Sequence, residues 1–125
     1  MYVKGIAWVG VATTNTRKLA SFFEDVLGLR KTHDRTGFVR FQMPNGDALE
    51  LFGPDEPIPP EPFKAGRVIP GFLVDDIRRA RRELEAAGVP LTGPLGEDSR
   101  SGYAWQHFLG PDGLVYELTY DPARQ

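Results

Sequence analysis

Glu50 and Glu117 are the residues from which chemistry is most readily built. Each stands four positions after the glycine of a short turn, Pro44-Asn45-Gly46 and Pro111-Asp112-Gly113, inside an apolar run. A carboxylate set into an apolar strand is desolvated unless it finds a partner, and it then serves as proton donor, proton acceptor or ligand for a hard cation. Two such groups facing one another in a Trp-lined pocket would repel, and the pKa of at least one would rise; a bound metal ion would act in the opposite sense. The other reading is that each glutamate sits at a rim or pairs with an arginine such as Arg40. With no cysteine in the chain, disulfides, thiolate metal sites and thiol nucleophiles are excluded. Carboxylates, two histidines, hydroxyls and a bound ion remain.

His107 is the histidine best placed for acid–base work, because Tyr103, Trp105 and His107 alternate and would share one strand face, an aromatic stripe suited to a planar or sugar-bearing ligand. The alternation equally allows Ala104, Gln106 and Phe108 to face inward, and a lone histidine also serves structural roles. His33, in the polar run 31–35, is expected in solvent. Arg100 lies in a Gly-, Ser- and charge-rich segment, where it either contacts an anionic group of a ligand or is a solvated loop charge.

The elements that must position these groups are written twice. Residues 5–13 are β-rich and lead to Thr14 and Asn15, both able to cap a helix; Leu19, Phe22, Phe23, Val26 and Leu27 then follow helical spacing up to Gly28. Residues 68–74 are again strand-like, Asp75 and Asp76 can cap, Ile77, Ala80, Leu84 and Ala87 mark one helical face, and Gly88 stops the helix before Pro90. Strands follow at 29–33, 38–43 and 47–52 in the first half, and at 91–92, 103–108 and 114–120 in the second. The reading is βαβββ twice: module one 1–53, a five-proline linker over 54–66 expected to be stiff and extended, and module two 67–125. The helix-end glycines are sixty positions apart and the turn glycines sixty-seven, so seven extra residues fall in 92–102, the best candidate for a mobile loop over a site. One helix covers one face of each sheet, so an α+β fold with curved mixed sheets around a cleft is expected.

At 125 residues, 41% hydrophobic and 26% charged, the chain suits one globular domain. The net charge of −2 and the Glu/Asp interleaved among Arg78, Arg79, Arg81 and Arg82 argue against a nucleic-acid partner; no apolar run argues for a membrane partner, and a cytoplasmic protein is expected.

The segment Phe22-Phe23-Glu24-Asp25-Val26-Leu27-Gly28-Leu29 is similar to the F-Y-x-x-x-L-G-[LF] helix end of the vicinal oxygen chelate superfamily of glyoxalases, bleomycin-resistance proteins and extradiol dioxygenases. Gly110-Pro111-Asp112-Gly113 with Tyr116-Glu117-Leu118 resembles that family's D-P-D-G-x-x-x-E-L signature, with Gly110 for the first Asp. The resemblance spans nearly the whole chain and implies the glyoxalase/bleomycin-resistance-like fold, and commonly a homodimer. It also implies four metal-ligand positions, which fall here on Trp8, Glu50, Ile69 and Glu117. Indole and an aliphatic chain bind no divalent cation, so half the ligand set is missing. The function this implies is binding of a small, partly aromatic organic molecule in a cavity between the modules, without metal, in the manner of bleomycin-resistance-like binders. Trp8, beside the small Gly10, Trp105, Tyr103, Ile69 and Arg100 are its expected contacts. The alternative is a divalent-metal lyase or isomerase of the glyoxalase kind, using Mg, Mn, Ni or Zn on Glu50 and Glu117 with His107 or water; a dioxygenase is less in keeping with two carboxylates. A third is metal-free acid–base catalysis by a glutamate of raised pKa.

Overall fold

Asn15 and Asp76 are where the two helices begin, and each does so by the same local device: the side-chain oxygen accepts from the backbone N–H three residues on, Lys18 in one case and Arg79 in the other, both at 3.0 Å. The computed structural model describes residues 1–54 and 67–125, so the expected linker lies, but for Pro54, outside the described residues. The first copy comprises β1 (Val3–Ala12), α1 (Thr16–Ser21) continued by a π-helical segment (Phe22–Val26), β2 (Arg30–Arg35), β3 (Phe38–Gln42) and β4 (Ala48–Phe52). The second comprises β5 (Val68–Val74), α2 (Ile77–Ala86), β6 (Gly96–Glu97), β7 (Ala104–Leu109) and β8 (Val115–Tyr120), followed by a 3₁₀ turn (Pro122–Arg124). This is βαβββ written twice.

The strand order is β2-β3-β4-β1 in the first copy and β5-β8-β7-β6 in the second. Each sheet is mixed: β1 runs parallel to β4 and β5 parallel to β8, because a helix intervenes, whereas the hairpins β3–β4 and β7–β8 are antiparallel. Two compact units divide the chain, Trp8–Ile69 and Pro70–Gln125 together with Met1–Ala7, so the first seven residues group with the second copy. In that unit the Met1 amine meets Glu83 at 3.0 Å and Lys4 Nζ donates to the Arg124 carbonyl at 3.0 Å.

Each helix covers one face of its own sheet. In the first copy Ala20, Leu19 and Phe23 pack on Val39, Phe41, Leu51, Val11 and Leu49. In the second, Ile77, Ala80 and Leu84 pack on Val74, Ala104, Leu118, Phe72 and Phe108. With period two along a strand, Trp8, Gly10, Arg40 and Glu50 are left on the other face of the first sheet, and Gly71, Trp105, His107, Glu117 and Thr119 on the other face of the second.

Two expectations need correction. Helical spacing over Leu19 to Leu27 predicts one amphipathic face, yet Phe22, Val26 and Leu27 are exposed at 47%, 67% and 55%. The π winding, with Leu27 N–H donating to the Phe22 carbonyl at 3.3 Å, inserts a residue into the turn and carries the later apolar side chains off the packed stripe, while Phe23 keeps its edge contact on Phe41. The strand expected at 91–92 is a single bridge, Leu91 to Phe108; the strand of that copy is Gly96–Glu97, paired to Ala104 and Trp105. Gly28 (φ 70°) and Gly113 (φ 78°) adopt the left-handed conformation expected of a helix stop and a hairpin turn.

Candidate functional site

On β4, Glu50 lies opposite Gly10 of β1 on one side and Arg40 of β3 on the other. Both of its carboxylate oxygens are engaged: the Trp8 indole N–H donates to Oε1 at 2.8 Å, and Arg40 Nη1 donates to Oε2 at 2.5 Å. The Arg40 and Glu50 side chains are largely withdrawn from water, at 19% and 16% exposure. Glycine at position 10 is what permits this. A Cβ there would stand 2.2 Å from the Trp8 ring, so the indole folds back over Gly10 to reach the carboxylate. Trp8 is itself buried.

The second copy repeats the register. Glu117 of β8 lies opposite Gly71 of β5 and His107 of β7. His107 Nε2 is 2.9 Å from Glu117 Oε2, and the Thr119 hydroxyl donates to Oε1 at 2.7 Å; all three residues are buried. One strand position beyond, Trp105 is half-buried on the same face and lies across Gly96 of β6, where a Cβ would be 2.1 Å from the ring. Tyr103 meets Trp105 at 6.3 Å between ring centroids.

Of the expected contacts, Trp105 and His107 share a face with Glu117, while Ala104 and Phe108 point to the α2 core, resolving the open alternation on β7. Gln106 lies on that helix side and donates to the carbonyls of Gly93 and His107. Ile69 occupies on β5 the place that Trp8 holds on β1 and is fully buried. Arg100 is exposed. Its backbone N–H is bound by Asp98 at 3.0 Å, and the Ser101 hydroxyl by the same carboxylate at 3.0 Å, so the inserted segment is a hydrogen-bonded turn. These donors, the Arg100 N–H foremost, hold the Asp98 carboxyl below its ordinary value. His33 is exposed, as expected.

Thr119 and Gly96 were not anticipated. Arg40 appeared only as an example of an ion-pair partner, yet the sequence carries its signal: Arg40 stands four residues before Pro44 and His107 four before Pro111, mirroring the glutamates four residues after each turn glycine. Around a fixed hairpin turn, equal counts on the two strands place residues opposite one another.

The residues do not fit a divalent ion at the implied positions. Trp8 and Ile69 offer no donor, and the Arg40 guanidinium already occupies one oxygen of Glu50. At about 4 Å and an effective dielectric of about 20, two unit charges interact by about 4 kcal/mol, so a divalent cation beside Arg40 would meet a repulsion of about twice that. Among the described residues no group of three His, Cys, Asp or Glu is arranged to hold a metal.

Cavities lie elsewhere in each copy, one of about 240 Å³ lined by Thr14, Arg17, Lys31 and Asp34 and one of about 370 Å³ lined by Asp75, Asp76, Glu97 and Tyr120. None of the expected site residues lines them. Among the described residues no helix is long and apolar enough to cross a membrane.

Similar folds are found among solved structures. The Mn(II)-bound glyoxalase from Novosphingobium aromaticivorans superposes with a TM-score of 0.76 at 22% identity over 95% of this chain; the chain spans only 39% of that protein. Methylmalonyl-CoA epimerase from Mycobacterium tuberculosis gives 0.72 at 18% identity, covering 95% of this chain and 89% of the epimerase. A glyoxalase/bleomycin resistance protein/dioxygenase superfamily member from Vibrio splendidus 12B01 gives 0.64 at 25% identity, covering 90% and 96%. No curated protein matches the chain. The family model for the Glyoxalase/Bleomycin resistance protein/Dioxygenase superfamily matches residues 5–118, and with the twofold βαβββ fold this shows that the chain belongs to that superfamily.

Proposed function

We propose that this protein binds a small, partly aromatic organic molecule without a metal ion, using the sheet faces that carry Trp8 with Glu50 and Trp105 with Glu117. One observation carries the reading: both oxygens of Glu50 are held by the protein's own donors, Trp8 and Arg40, which favours a binding surface over a metal centre. Half-buried Trp105 and Tyr103 add flat area against which an aromatic ring can stack. The homodimer and the cytoplasmic location expected from the sequence belong to the same proposal, and light scattering on the purified protein tests the first.

The chain's two tryptophans are these same two residues, so intrinsic fluorescence reports on the candidate faces directly. Screening planar aromatic compounds against wild type, Trp8→Phe and Trp105→Phe should give saturable quenching that weakens in at least one variant. Quenching that no member of a broad set produces would end the reading.

A second reading, an acid–base lyase or isomerase of the glyoxalase kind, is favoured by the buried His107–Glu117 pair, a carboxylate and an imidazole within hydrogen-bond reach. Turnover abolished by Glu117→Gln and indifferent to chelators would support it over simple binding. Turnover that chelators remove would instead support the metal-dependent lyase, or a dioxygenase.

A further inference from the structure

Each repeat presents its glutamate to a nitrogen side chain on the neighbouring hairpin strand, at the same register: Arg40 against Glu50 across β3–β4, His107 against Glu117 across β7–β8. We infer that Arg40 is a built-in cation that takes the place of a divalent ion at Glu50, so that the first copy's carboxylate is neutralised by the fold and is closed to metal as long as the guanidinium is present. The inference rests on the metal-free reading above and deepens it, by naming the residue responsible.

Three features of the structure support it. The Arg40–Glu50 contact is 2.5 Å and largely shielded from water, so the attraction is weakly screened. The second oxygen is taken by Trp8, which stands at a position where the family resemblance implies a metal ligand and which Gly10 alone leaves room to fold over. The geometry is set by the hairpin itself, with Arg40 and Glu50 direct cross-strand partners flanked by Val39–Leu51 and Phe41–Leu49 pairs. A slip of one residue on either strand would send that strand's charged group to the α1 face and part the pair. The arrangement therefore leaves a net-neutral surface beside the indole, suited to an uncharged planar ligand in preference to a chelating anion.

The test uses the full chain, stripped with EDTA and then titrated with Mn²⁺ alone, for wild type, Glu50→Gln, Arg40→Met, Arg40→Lys and Arg40→Met/Glu50→Gln, read by thermal melting. Wild type and Arg40→Lys should show no Mn²⁺ shift, because a positive charge is retained at Glu50. Arg40→Met should gain stabilisation of about 3 °C or more at millimolar Mn²⁺, and Glu50→Gln in the same background should abolish that gain. If Arg40→Met is unfolded after stripping, far-UV circular dichroism reads the same titration, with Mn²⁺-driven refolding as the expected result and none as the overturning one. A folded Arg40→Met that gives no Mn²⁺ response overturns the role of Arg40 while leaving metal-free binding intact. A Glu50-dependent Mn²⁺ shift in wild type overturns both.

Discussion

Arg40 and Glu50 face one another across the β3–β4 hairpin with Nη1 2.5 Å from Oε2, in the same register that sets His107 against Glu117 across β7–β8. Removing one member of a shielded pair leaves the other charge without its partner, which costs more than the pair itself contributes. Arg40→Met and Glu50→Gln, each alone, should destabilise the fold by about 1–3 kcal/mol, below the range for a fully buried pair because both side chains keep some solvent contact. The double variant should lose less than the sum. Urea denaturation of the four proteins checks this, and strict additivity would show that the two side chains do not act on each other.

Trp8→Phe separates the indole N–H from the ring. Most of the apolar burial survives and the 2.8 Å bond to Glu50 is lost. A hydrogen bond to a charged group contributes about 1.5–3 kcal/mol, so a loss of about that size is expected in wild type and a smaller one in the Glu50→Gln background.

Gly10→Ala would bring a Cβ to 2.2 Å from the Trp8 ring, a contact that forces the indole to move. The expected result is a lower melting temperature together with a change in tryptophan emission, since the ring leaves its carboxylate partner. Gly96→Ala should do the same to Trp105, where the approach is 2.1 Å. Unchanged emission in both variants would mean that neither ring lies over its glycine.

Gly113→Ala tests the backbone alone. Nothing lies within 4 Å of the added methyl, but φ is 78°, a conformation that costs an L-residue about 1 kcal/mol or more. Gly28→Ala, at φ 70° and equally open, should cost a similar amount. Calorimetric melting that matches wild type in both would remove the hairpin and helix-stop assignments from which the repeat is counted.

Asp98 links stability to pH through the turn that carries Arg100. Its folded carboxyl is held below the ordinary 3.8 by the Arg100 N–H and then the Ser101 hydroxyl. A depressed carboxyl stabilises the fold above its unfolded pKa, and that contribution is lost as pH falls through the folded value. Asp34, held low chiefly by Lys31, acts in the same direction. Below about pH 4 the melting temperature of wild type should therefore fall more steeply than that of Asp98→Asn, and parallel acid limbs would show that the Asp98 turn is not formed in solution.

Much of this architecture was legible in the chain because it is set by neighbours close in sequence. Asn15 and Asp76 cap helices through bonds three residues long, Gly28, Gly88 and Gly113 mark positive φ, and the two Pro-Asx-Gly turns count out the hairpins. The same local rules set Glu50 and Glu117 at matching places, and the spacing of Arg40 and His107 ahead of the turns already held their pairing. Tertiary structure decided what strand alternation leaves open. Which face of β7 meets α2 depended on Ala104 and Phe108 fitting against Ile77 and Ala80, and that packing put His107 beside Glu117. The exposure of Val26 and Leu27 followed from one extra residue in a helical turn, a choice that 3.6-residue periodicity does not contain. The second partner of Glu50 was settled by a strand far away in sequence, Trp8 from 42 positions off, because a buried charge takes whichever donors the sheet register brings within hydrogen-bond distance.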